Sequence, residues 1–81
     1  GIVGKEPYPV EKKAAEVLRQ LLAKGRQRLR NLFRGNKPIE VVATFLSILE
    51  LCKLRSVRVS EQNGEYEIDY LKMPEESEVE D

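Results

Sequence analysis

Apolar positions recur along this chain first with a helical period and then with a two-residue period. Val10, Ala14, Val17, Leu18, Leu21 and Leu22 fall on one helical stripe, which predicts a helix from about Val10 to Lys24. Pro9 stands at or just before its first turn, where a missing N–H does no harm. Glu11 suits the helix N-terminus and Lys24 its C-terminus, and Gly25 is a natural left-handed stop. Leu29, Leu32 and Phe33 recur at i, i+3 and i+4 and predict one short helical turn. Gly35 and Asn36 break the chain, and Pro38 opens a third helix running to about Leu54.

The period then changes. In "VRVSEQ-NG-EYEIDY" the Asn63-Gly64 pair supplies the positive φ angles of a type I′ turn. A two-residue loop pairs Gln62 with Glu65. Val59 then faces Ile68, Val57 faces Tyr70 and Arg58 faces Asp69, so like meets like on one side of the hairpin and opposite charges meet on the other. Residues 26 to 28 are positioned to add a short third strand. The fold expected is α+β, a winged helix of three helices with a C-terminal β-hairpin wing. Residues 1–9 read as linker, 10–72 as the domain, and 73–81 as an acidic disordered tail. The loop-like opening without Met reads as a piece of a longer protein.

The third helix is broader in its apolar arc than one small core requires. Eleven of the 17 residues from Ile39 to Arg55 are apolar. With Ile39 at 0° and about 100° per residue, Phe45, Leu49, Val42 and Leu46 fall at about 240°, 280°, 300° and 340°. With Ile39 they form the expected core stripe. Cys52, Val41, Ile48 and Leu51 fall outside it, at about 220°, 200°, 180° and 120°. A surface helix usually needs an arc of roughly 100°. Either the helix is sunk between the first helix and the wing, or the flank Ile48, Leu51, Cys52 and Arg55 lies against another protein.

Length and charge narrow the choices. Eighty-one residues suit one domain with a small core. No apolar run reaches the roughly 18 residues of a membrane span, and no signal peptide is visible. Residues 1–60 hold 13 Lys/Arg against 5 Asp/Glu, whereas residues 61–81 hold 1 against 9. Such a split fits either ordinary solvated faces or a nucleic-acid surface with an acidic shield. Lys24, Arg26, Arg28, Arg30, Arg34 and Lys37 follow one another without an intervening acid. Of these, Arg26, Arg28, Arg30, Arg34 and Lys37 are the candidate phosphate contacts. A DNA-binding winged-helix module using this 24–37 run is the alternative function.

Candidate catalytic chemistry is sparse. The chain has no His, no Gly-rich phosphate loop and a single cysteine, Cys52, which excludes an internal disulfide and argues against zinc. Cys52 fits a reducing compartment and reads as a small apolar side chain rather than a nucleophile. No cofactor or metal is expected, and the domain is expected to be non-enzymatic. The third helix carries no Arg, Lys, Asn or Gln between Ile39 and Cys52, so it is a poor reader of base edges.

The stretch "EVVATFLSILELCKL", followed by "VRVSEQ" and "EYEIDY", resembles the C-terminal winged-helix domain of the kleisin family, most closely its prokaryotic segregation and condensation members. Glu40, Val41, Val42, Phe45, Leu46, Leu49, Glu50, Leu51, Lys53, Gln62 and Ile68 match that pattern. Ile48 replaces a usual Leu, Leu29 replaces a usual Phe, and Asn63-Gly64-Glu65-Tyr66 departs from the usual wing tip. The resemblance covers roughly residues 10–71 and implies a domain that docks on the ATPase head of an SMC protein. The remainder of such a chain meets other condensin subunits. DNA is then held indirectly by the closed ring, in the cytoplasm at the nucleoid, with no membrane partner. On this reading the contacts are Phe45, Ile48, Leu51, Cys52 and Arg55, with Val57 and Tyr70 in support.

Overall fold

The computed structural model describes residues 9–74. Residues 1–8 of the expected linker (1–9) and 75–81 of the expected acidic tail (73–81) lie outside them. The elements are α1 (Val10–Lys24), β1 (Gln27–Arg28), α2 (Leu29–Phe33), α3 (Pro38–Lys53), β2 (Val57–Gln62) and β3 (Glu65–Tyr70). This is an α+β winged-helix layout: three helices and a three-stranded antiparallel sheet of order β1-β3-β2.

Local chemistry sets the boundaries. Gly25 ends α1 at φ 79°, and its N–H donates to the Leu21 carbonyl at 2.7 Å. Pro38 opens α3, where Glu40 accepts a hydrogen bond from the Lys37 N–H at 3.3 Å. The end of α3 is a Schellman motif. Ser56 N–H donates to Leu51 O at 2.9 Å and Arg55 N–H to Cys52 O at 3.0 Å. Arg55 holds the left-handed position at φ 60°, which glycine would occupy more easily.

The hairpin has the register expected from its turn. Val57 pairs with Tyr70, Arg58 with Asp69 and Val59 with Ile68, and Asn63 and Gly64 take φ of 50° and 81°. β1 adds to the other side of β3 through Gln27–Ile68 and Arg28–Glu67. β3 is therefore the central strand, and β2 forms one outer edge.

The core joins Val17, Leu18 and Leu21 of α1, Leu32 of α2, Ile48 and Leu51 of α3, and Val57 and Ile68 of the sheet. Leu22, expected in the α1 stripe, is instead exposed. Lys13 is buried on α1 with its ammonium 3.0 Å from Glu16. No helix among the described residues is long and apolar enough to cross a membrane.

Ser56 is fully buried where the chain passes from α3 into the sheet. Its carbonyl accepts from the Leu71 N–H at 2.7 Å, but its hydroxyl has no hydrogen-bond partner among the described residues. A buried unpaired hydroxyl costs roughly 1–3 kcal/mol of desolvation. Ser56→Ala is therefore expected to hold or raise stability in urea unfolding, by up to about 2 kcal/mol. A loss of more than about 1 kcal/mol would show that the hydroxyl is bonded after all.

Candidate interaction surface

α3 determines the character of the surface, and its two faces are the reverse of the expected ones. The side turned to the core carries Ala43, Thr44, Ser47, Ile48 and Leu51, all buried. At about 100° per residue these occupy an arc from roughly 40° to 180°. Thr44 and Ser47 are the polar members, and both are fully buried. Their hydroxyls are satisfied close by. The Thr44 hydroxyl donates toward Asn36 Oδ1 at 2.7 Å or the Glu40 carbonyl at 2.9 Å, and Ser47 donates to the Thr44 carbonyl at 2.8 Å. A hydroxyl bonded within its own helix can enter a core at little cost. These side chains are also small, so the helix can lie near its neighbours.

The expected core stripe faces outward instead. Ile39, Val42, Phe45, Leu46 and Leu49 are 44–62% exposed. Val41 is exposed at 40% on the adjoining flank. The patch continues into an open apolar groove of about 790 Å³, where Leu46 and Leu49 face Val10, Ala14, Ala15 and Leu18 of α1. Glu11, Glu50 and Lys53 supply charges along the groove. A monomer seldom leaves so many large apolar side chains together on one helix face without a use for them.

The expected contact residues divide accordingly. Phe45 is exposed and belongs to the patch. Ile48 at 5% and Leu51 at 2% exposure are core residues, as is Val57 at 2%, so none offers a surface to a partner. Their assignment as contacts is corrected here: the hydroxyl-bearing face of α3, not its most apolar face, packs inward. Cys52 is half-buried against the core, where burial pushes its thiol up from its ordinary range. Tyr70 is likewise half-buried against the core. Arg55 is exposed and serves as the left-handed cap. Sequence reasoning missed Ile39, Val42, Leu46 and Leu49 as surface residues. The spacing of Ala43, Thr44 and Ser47 beside Ile48 and Leu51 was the available signal.

The basic run is also changed by folding. Arg26 and Arg28 on or beside β1, with Arg30 of α2 and Arg34 at its C-cap, line one concavity, which Lys37 does not join. β3 places carboxylates next to this run. Arg26 Nε donates to Asp69 at 2.7 Å and its Nη1 to Glu67 at 3.4 Å, while Arg30 lies 3.8 Å from Glu65. The Asp69 bond and charge raise the Arg26 pKa further above its usual value. Arg58 reaches the other Asp69 oxygen at 3.8 Å. Among the described residues no group of His, Cys, Asp and Glu could hold a metal ion.

A scan against models of known protein families finds no match for the chain, and no curated protein matches it.

The two faces of α3 differ sharply in what a charge should do to them. Leu51→Arg is expected to abolish cooperative unfolding, because an unpaired charge would enter the core. Phe45→Arg is expected to shift the thermal midpoint by less than about 8 °C, since the side chain stays in water. Circular dichroism melts of both variants check this. Equal destabilisation by the two would show that α3 is rotated from the arrangement described.

Proposed function

We propose that this domain is the C-terminal winged-helix domain of a kleisin related to the segregation and condensation protein ScpA. In this reading it is a non-catalytic adaptor that docks on the ATPase head of an SMC protein. Docking helps to close a ring complex used in chromosome condensation and segregation, which places the domain in the cytoplasm at the nucleoid. Other condensin subunits would meet the rest of such a chain, and DNA would be held indirectly within the ring.

The observation that carries the proposal is the outward apolar face of α3. Val41, Val42, Phe45, Leu46, Leu49 and Glu50 are among the residues that carry the kleisin resemblance, and all are exposed. Side chains needed only for packing would be expected inside. The proposed contact is therefore Ile39, Val42, Phe45, Leu46 and Leu49, with Glu50 and Lys53 at the edge. Fully burying a Leu, Ile or Phe is worth roughly 1.5–3 kcal/mol. These five side chains are about half covered already, so a partner gains roughly half that amount from each. Part of the gain is offset by the lost freedom of the two proteins. The outer edge of β2 offers a second contact, through which a sheet of the head could be extended.

The mechanism is docking rather than chemistry. The absence of His from the sequence and the half-buried place of Cys52 against the apolar core support a non-enzymatic role. Between Ile39 and Cys52 α3 offers no Arg, Lys, Asn or Gln for base edges, which speaks against use of this helix as a DNA reader.

Co-purification with an SMC head fragment tests the proposal. The wild-type domain is expected to be retained. Val42→Arg and Phe45→Arg are each expected to weaken retention at least about 100-fold, equivalent to roughly 2.7 kcal/mol. Arg19→Glu, an exposed change on α1, is expected to have little effect. Wild-type retention of both α3 variants would rule this face out.

A further inference from the structure

A second surface shares no residue with the apolar face of α3. Arg26, Gln27 and Arg28 with Arg30, Asn31 and Arg34 wall an open concavity of about 450 Å³. Glu67 is its single acidic lining residue, and that carboxylate is engaged by Arg26 at 3.4 Å. Arg30 leans toward Glu65 at 3.8 Å. Arg28 and Arg34 are exposed and have no ion-pair partner among the described residues. Residues 9–74 together hold thirteen Lys/Arg against eight Asp/Glu, a net of +5.

We infer that this concavity holds the phosphate backbone of duplex DNA without reading its sequence. Guanidinium groups match phosphate oxygens in pairs, and a concave basic wall concentrates the field that attracts a polyanion. Arg28 and Arg34 supply the uncommitted charges. Arg26 and Arg30, held by the β3 carboxylates, shape the wall more than they bind. Gln27 is partly occupied as well, since its side-chain N–H groups lie 3.4 and 3.1 Å from the Gly25 and Arg26 carbonyls. Asn31 is left as the one neutral hydrogen-bonding side chain, too little to specify a base sequence. No aromatic side chain lines the concavity. It therefore lacks the stacking platform by which single strands are held, and this favours the duplex. The surface gives the domain a direct, weak grip on DNA, separate from any partner seated on α3.

Fluorescence anisotropy with a labelled 20-base-pair duplex of arbitrary sequence tests the inference, starting at about 50 mM salt. Binding is expected to weaken as salt rises, with log K falling linearly against log salt. Arg28→Ala combined with Arg34→Ala should weaken binding at least tenfold. It should also reduce the slope by roughly 2, at about 0.9 for each phosphate no longer neutralised. Arg19→Ala, outside the concavity, should change affinity less than twofold. The inference is overturned by any of three results: no binding by the wild-type domain at low salt, an equal loss in the Arg19 variant, or equally tight binding of a single strand of the same length.

Discussion

The surface of this domain follows from how α3 meets the core. The helix turns inward a face built from Ala43, Thr44, Ser47, Ile48 and Leu51. Two hydroxyls can be buried there because each has an acceptor in or beside its own helix, the Thr44 hydroxyl at Asn36 or Glu40 and the Ser47 hydroxyl at Thr44. Ile48 and Leu51 then reach Val17, Leu18 and Leu21 of α1, Leu32, and the sheet residues Val57 and Ile68. With that face committed, the 3.6-residue repeat leaves Ile39, Val42, Phe45, Leu46 and Leu49 outside. The apolar patch is thus a geometric consequence of the core contact.

The sheet acts on charge in a comparable way. Along the sequence, the charged residues of 24–37 are all basic. In the fold, β3 runs beside them and brings Glu65, Glu67 and Asp69 within reach of Arg26, Arg30 and Arg58. Such exposed pairs add little stability, each typically less than about 1 kcal/mol. Their larger effect is to decide which arginines stay available to another molecule. Arg28 and Arg34 do, and they sit together on one concave wall.

Much of the fold was legible in the sequence because its signals are local. Proline at Pro38, glycine at Gly25 and the Asn63-Gly64 turn set boundaries through backbone angles that neighbours do not alter. The hairpin register followed from the turn alone, down to Arg58 opposite Asp69. The orientation of α3 was not legible by the same rules. The most apolar stripe was expected inside, but which stripe goes inside depends on the helices and strands that receive it. Thr44 and Ser47 are polar by residue type, and only the fold shows that their hydroxyls bond within the helix. The broad apolar arc was expected either to sink between α1 and the wing or to leave part of itself uncovered, and part of it is uncovered. That part is the stripe at Phe45 and Leu49 rather than the flank at Ile48 and Leu51. Arg55 is a similar case, since its sequence neighbours give no hint that a charged residue takes the left-handed cap.

The most direct measurement is the solvent exposure of individual methyl groups by nuclear magnetic resonance, using a soluble paramagnetic probe, first for the free domain and then with an SMC head fragment added. The account predicts strong relaxation of the Val42, Leu46 and Leu49 methyls and little for Ile48 and Leu51 in the free domain. It further predicts that the head protects the first three. Strong relaxation at Ile48 and Leu51, or unchanged exposure of Val42, Leu46 and Leu49 in a complex that has formed, would contradict it.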